Sequence, residues 1–467
     1  MKTVLRSAAV LFVIGLAVTA GSAAQGAVAQ VFVSNANESG PGSFRAAVVR
    51  ASADPGITRV HFLGGVSTIN LITTVEFSGS QDLSIDGNGA TLNGATLVAV
   101  APAFLVTGGG DLAISRLTVR GASGEGIAVE VPGDATGTVA VSPFKVDAID
   151  NAGHGVLIND QEDPSTADDV QPNANGSAAS VEVTVLNSRF IHNGYSVSDR
   201  DGLRVNEGGD GDLSITTKHS LAHDNGADGI EVDERGAGDV RVDVAHTQLT
   251  ENGRLDPLDL DDGFDIDEYN DGSIIGRVFQ TSSNRNFEEG FDFNENNAGD
   301  LRVDMQQVEA SGNGEEGIDY EEDDDFAGGG DLVANMTGIT ANSNGVNGEG
   351  DAGLKIREKG DGNFDITVAH VETSNNLIGG ISMREDDGGS LVSSVTRATS
   401  LANGGRGIDF DENGIGDLTA AVSGSTTLTN TDVDIRADEA STGAGALYLS
   451  NVTYGTSGGS VTPTILN

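Results

Sequence analysis

The sequence predicts an all-β solenoid, and three recurring phrases predict it. The first is Gly-apolar-x-apolar-x-Glu: GLRVNE at Gly202, GIEVDE at Gly229, GFDIDE at Gly263, GFDFNE at Gly290, GIDYEE at Gly317, GLKIRE at Gly353, GISMRE at Gly380 and GIDFDE at Gly407. A degenerate copy, DIRADE, begins at Asp434, and most steps between these starts are 27 residues long. The second phrase is a Gly four residues after the Glu, usually followed by Asp, Asn or Ser, as in GDLSITT from Gly211 and GDVRVDV from Gly238. The third is an Asn four residues before the next start, at Asn151, Asn225, Asn286, Asn313, Asn376 and Asn403. Self-similarity at this period means stacked coils, each burying its face against the next.

Each coil reads as three short strands separated by corners. In the first strand a period of two sends Ile408 and Phe410 inward and Asp409 and Asp411 outward. The corner glycine allows a tight turn, and the Asp after it can bond its own backbone. The third stretch ends at the Asn, which tolerates left-handed backbone and carries both donor and acceptor, so identical copies can bond along the stack.

With these positions, from about residue 80 to 455, the chain resembles the right-handed parallel β-helix superfamily that includes pectate lyases, polygalacturonases and many secreted bacterial repeat proteins. The resemblance, with the general right-handed preference of crossovers, implies the handedness. Residues 30–79 lack the repeat, and SNANESGPGSFRAAVVRASADPGITRVHF resembles the N-terminal cap of such proteins, with a helix over Ser43 to Ala53. Coils with starts near Gly126 and Gly155 keep the strands but not the acidic signature. Residues 456–467 form a tail. About thirty residues follow the degenerate coil, too few for an outer-membrane barrel of eight strands.

Residues 1–29 have the form of a secretory signal peptide: Lys2 and Arg6, the apolar run AAVLFVIGLAVTA, then Ala27-Val28-Ala29. No later stretch approaches the ~20 apolar residues of a membrane span. The chain has no cysteine, so cohesion outside the cytoplasm must come from burial, ladder hydrogen bonds or metal. A net charge of -46 argues against nucleic acid and anionic lipid as partners. Tryptophan is absent, which weakens any sugar-stacking platform.

The outward positions stack into columns. Two residues after the Gly stand Arg204, Glu231, Asp265, Asp292, Asp319, Lys355, Ser382, Asp409 and Arg436; four after stand Asn206, Asp233, Asp267, Asn294, Glu321, Arg357, Arg384, Asp411 and Asp438. A third column, Glu207 through Glu439, follows at the corner, where a structural role bonding backbone N–H groups is expected. Carboxylates stacked about 4.8 Å apart repel one another, and calcium can bridge such rungs through oxygens at about 2.4 Å. The expected ligands are Asp233, Asp265, Asp267, Asp292, Asp319 and Glu321. Screening by salt is the competing reading of the same charges.

Insertions after the Asn corner, from Gly194, Gly253 and Gly345, and another from Asp323, would form lips around this strip. A polar insertion from Asp160 adds a loop.

β-Helix polysaccharide lyases bind acidic sugars through calcium and use Lys or Arg as base, and the resemblance offers Lys355, Arg357 and Arg384 for that role. Neighbouring Asp319, Glu321 and Glu358 favour the charged form of a base, so cross-coil ion pairing is the simpler reading. The string GHG at Gly153–Gly155 matches a polygalacturonase motif whose partner motifs are missing, so His154 is read as a neighbour of a coil-start glycine. The other histidines show no metal spacing, and His246 and His370 hold equivalent repeat positions. The leading expectation is a secreted, non-catalytic β-helix that binds divalent cations and presents an acidic surface to an extracellular polysaccharide or surface partner. A calcium-dependent polysaccharide lyase or glycoside hydrolase is one alternative. A structural envelope or matrix protein is the other.

Overall fold

The Gly-apolar-x-apolar-x-Glu phrases stack in register into one parallel sheet of fourteen strands, from Val75–Phe77 to Ser457–Gly458. In the computed structural model, which describes residues 29–160, 176–195, 199–255, 260–323, 329–348, 350, 352–440 and 443–466, the chain is a right-handed parallel β-helix. The first apolar position runs through Leu203, Ile230, Phe264, Phe291, Ile318, Leu354, Ile381, Ile408 and Ile435 as one inward column. All nine are fully buried. The second phrases form strands such as Leu213–Lys218, Val240–Ala245 and Leu301–Gln306, and the third stretches give three-residue strands such as Leu221–His223 and Thr399–Leu401.

The asparagines form an unbroken ladder from Asn151 through Asn193, Asn225, Asn252, Asn286, Asn313, Asn344, Asn376 and Asn403 to Asn430. Each Nδ2 donates to the next Oδ1 at 2.9–3.3 Å. Insertions between Asn and glycine hid Asn193, Asn252 and Asn344 from a fixed spacing. The expectation of left-handed backbone at the Asn itself is corrected: its predecessor takes that conformation, at Asp224 (φ 55°), Glu251 (61°), Arg285 (59°) and Asn375 (60°). His219, His246 and His370 occupy a second left-handed corner, between the second and third strands. The coil-start glycine admits no side chain; a Cβ on Gly202 would lie 2.5 Å from the carbonyl oxygen of Gly229 and 2.7 Å from Asn225 Nδ2.

The helix expected near Ser43 spans Phe44–Ala53, and the Ser43 hydroxyl caps it by accepting the Ala46 N–H at 3.2 Å. Phe44 packs on Phe62 and Phe104, with ring centroids 5.2 and 5.7 Å away. Of the expected signal peptide only Ala29, which opens the strand Ala29–Val33, is among the described residues. The polar insertion after Asp160 and the centres of the four expected lips (196–198, 256–259, 324–328, and 349 with 351) also lie outside them. Among the described residues no helix is long and apolar enough to cross a membrane.

Candidate metal site

Two columns run side by side along the outer face of the first strand. The column two after the glycine begins before the acidic coils, as Leu105, Ala128 and Leu157, and continues as Arg204, Glu231, Asp265, Asp292, Asp319 and Lys355. Beside it stands the residue just before each glycine: Glu125, His154, Asp201, Asp228, Asp262, Glu289 and Glu316, stacked because each glycine N–H donates to the carbonyl of the next member. Counting the pattern from the glycine left this second column unread. Its signal was present, since five successive coils carry an acid there.

From Asp228 to Asp319 both columns are acidic and form a double ladder. One oxygen each of Asp228, Glu231 and Asp265 lies within 4.8 Å of the other two; the same holds for Asp262, Asp265 and Asp292, for Asp262, Glu288 and Glu289, and for Glu289, Glu316 and Asp319. An ion about 2.4 Å from its oxygens spans such separations without backbone movement. Asp265 Oδ1 and Asp292 Oδ1 are buried and receive no hydrogen bond, whereas Asp292 Oδ2 accepts from Asn294 at 2.9 Å.

Burial, then mutual repulsion, pushes Asp228, Asp262, Asp265, Glu289 and Asp292 well above the usual carboxylate range. Glu231 is also raised well, by burial foremost, although Arg204 opposes the shift.

A basic residue closes each end. Arg204, 6% exposed, donates to Asp199 at 2.8 Å, to Asp233 at 2.8 Å and to Glu231. It thereby fills a fifth carboxylate triad, Asp199, Asp201 and Glu231. At the other end Lys355 Nζ donates to Asp319 at 2.6 Å.

The six ligands expected from sequence lie on this one face, in two groups. Asp265, Asp292 and Asp319 belong to the double ladder. Asp233 accepts from Arg204 and, at 2.9 Å, from Arg235; Asp267 accepts the Tyr269 hydroxyl at 2.8 Å; Glu321 meets Lys355 at 3.6 Å, Arg357 at 3.5 Å and Lys359. Burial would raise Glu321, but Lys359, Lys355 and Arg357 together bring it below the usual range.

The three candidate lyase residues are all ion-paired. Burial would lower Lys355, yet Asp319, Glu316 and Glu321 prevail and hold the ammonium protonated, the wrong form for a base. Arg357 and Arg384 both grip Asp386, at 2.9 and 2.8 Å. His154 accepts the Asp201 N–H at Nδ1, 3.0 Å, and lines a cavity of about 320 Å³ with Leu105, Leu157, Glu125 and Glu130.

No family model matches the chain, and no curated protein does. Among solved structures it is similar to the periplasmic alginate epimerase AlgG, in a double-mutant form (12% identity, TM-score 0.37, covering 85% of this chain and 76% of that one). It is also similar to the catalytic domain of a GH87 α-1,3-glucanase in complex with nigerose (11%, TM-score 0.36, 93% and 68%). A third is PfbA, a surface adhesin of Streptococcus pneumoniae (10%, TM-score 0.29, 87% and 86%).

Proposed function

We propose that this protein binds divalent cations, calcium foremost, along the double ladder from Asp228 to Asp319. The single observation that carries the reading is the run of overlapping carboxylate triads with oxygens within 4.8 Å of one another, lying between Arg204 and Lys355. Like charges this close and this buried are unfavourable unless a cation or protons join them. Calcium takes oxygen ligands only, tolerates irregular geometry and is abundant outside the cytoplasm.

In this reading residues 1–29 direct export, residues 30–79 cap the first coil, and the loaded strip offers an elongated charged surface to an extracellular polysaccharide or surface partner. In this reading the protein is non-catalytic, and the basic residues beside the strip serve as counter-ions and not as a lyase base.

Thermal unfolding in calcium against chelator tests the cation reading. Calcium should raise the midpoint, since a ligand held only by the native state stabilises it. Asp265→Asn with Asp292→Asn should remove most of the shift. An unchanged midpoint in the parent protein sinks the proposal. Incubation with uronate polymers should release no unsaturated product; product that disappears in Lys355→Ala would establish the lyase instead.

A further inference from the structure

The glutamate that ends each first-strand phrase points into the coil, by the same alternation that buries the apolar residues at positions one and three. Its copies stand in register from Glu207 through Glu234, Glu268, Glu295, Glu322, Glu358, Glu385 and Glu412 to Glu439, with Asp160 preceding them. The first eight glutamates are 0% exposed. The expected bonds to corner N–H groups are present: Gly209 donates to Glu207 at 3.1 Å, Gly236 to Glu234 at 2.8 Å, Gly389 to Glu385 at 2.8 Å and Gly414 to Glu412 at 2.7 Å. Those bonds satisfy one oxygen on each of these four rungs.

The other oxygen faces the neighbouring rungs. Glu207 Oε1, Glu234 Oε2, Glu385 Oε2 and Glu412 Oε2 are buried and receive no hydrogen bond, and neither oxygen of Glu295 receives one. The corner glycines pack directly on the preceding coil: a Cβ on Gly236 would sit 1.3 Å from the Gly209 carbonyl oxygen, and one on Gly416 would sit 1.4 Å from that of Gly389. The asparagine ladder shows what such a column needs, because each amide both donates and accepts. A carboxylate only accepts. A carboxylic acid does both, so the glutamate column becomes the equivalent of the asparagine column when it holds protons.

We propose that the glutamate column is a hydrogen-bonded carboxyl chain that retains shared protons at neutral pH and makes the fold sensitive to alkali. A proton on one rung donates to an oxygen of the next, so no rung need carry a full buried charge. Burial foremost pushes Glu207 up to about 10, Glu295 to about 7, Glu385 to about 7 and Glu412 to about 8; neighbouring carboxyls add to the rise on Glu207 and Glu412, whereas on Glu295 and Glu385 hydrogen-bonding neighbours hold it back. The titratable neighbours are carboxyls: Glu234 and Asp160 raise Glu207, Glu385 and Glu439 raise Glu412, Glu358 raises Glu385 while Glu412 lowers it, and on Glu295 the neighbours Glu268 and Glu322 lower the value while Asp300 raises it. Each folded value lies above the unfolded one, near 4.3. The native chain therefore holds more protons than the unfolded chain, and its stability is full below about pH 4 and falls as pH rises through the folded values. A rung protonated when native and ionised when unfolded makes unfolding about tenfold easier per pH unit.

Urea unfolding from pH 5 to 9 in excess chelator tests this, with Glu385→Gln, Glu412→Gln and their double variant. These rungs lie beyond Lys355, away from the double ladder, and chelator removes calcium, so the outcome is independent of whether the strip binds metal. The parent midpoint should fall with pH, and the double variant should fall less steeply, because a glutamine donates and accepts without ionising. Infrared spectroscopy of the parent at pH 7 should show the carbonyl stretch of protonated carboxylic acid, weakened in the double variant. Equal slopes in parent and double variant overturn the proposal. So does the absence of the protonated-acid band, a result that stands even where the variants fail to fold.

Discussion

The outer double ladder and the inner glutamate column are both stacks of carboxyls on the same coils, the glutamate standing three residues after one ladder column and six after the other, yet their surroundings differ. Outside, adjacent columns converge in triads, with Arg204 and Lys355 at the ends. That arrangement has room for cations. Inside, rungs such as Glu234 and Glu412 accept a corner N–H and stand fully buried beside close-packed glycine corners. If the two proposals hold, convergence and exposure, not the acidic residue type, decide what neutralises a carboxylate stack.

The comparison breaks most severely at Arg204. Arg204→Met removes a buried cation from Asp199, Glu231 and Asp233 and should cost about 3–5 kcal/mol in chelator, measured by urea unfolding. Calcium should then stabilise this variant more than the parent, because the triad of Asp199, Asp201 and Glu231 is freed for an ion. Next comes the inner column: Glu385→Ala strands the Gly389 N–H and opens a void, for about 3 kcal/mol, while Glu385→Gln keeps the bond and should cost less than about 1 kcal/mol.

Calcium at a hundredfold excess over its dissociation constant should add about 2.7 kcal/mol per site to the parent. The sign of its pH dependence follows from the raised carboxyls of Asp265, Glu289 and Asp292. Without calcium their contribution is full in acid and lost as pH rises, so the calcium-induced rise in melting midpoint should grow from pH 5 to pH 8. The smallest effect is expected at the far end. Lys355→Met should cost about 1 kcal/mol in chelator, since Lys355 is partly exposed, and it should strengthen calcium binding at the triad of Glu289, Glu316 and Asp319 by freeing the Asp319 oxygen that Lys355 holds.

Much of this was legible in the sequence because a solenoid writes its geometry as a period. The acidic column of Asp265, Asp292 and Asp319, the bonds from corner N–H groups to glutamates and the basic residues after them all follow from register. The column before the glycine was missed because it precedes the phrase that sets the count. The ladder members Asn193, Asn252 and Asn344 were missed because insertions broke their spacing. The glutamate column was read only as a corner feature, although its odd position in the strand already matched that of the buried apolar residues.

The sequence by itself determined the stacked-coil fold, the inward apolar columns and the coils in which charge gathers, since each depends only on spacing along the chain. Tertiary structure alone decided which carboxylates converge. Register between coils joins Asp262 to Asp292 and Glu289 to Asp319, turns Arg204 and Lys355 into end groups, and closes the corners around the glutamates. Those outcomes depend on distances between residues far apart in the chain, and the local pattern carries no record of them.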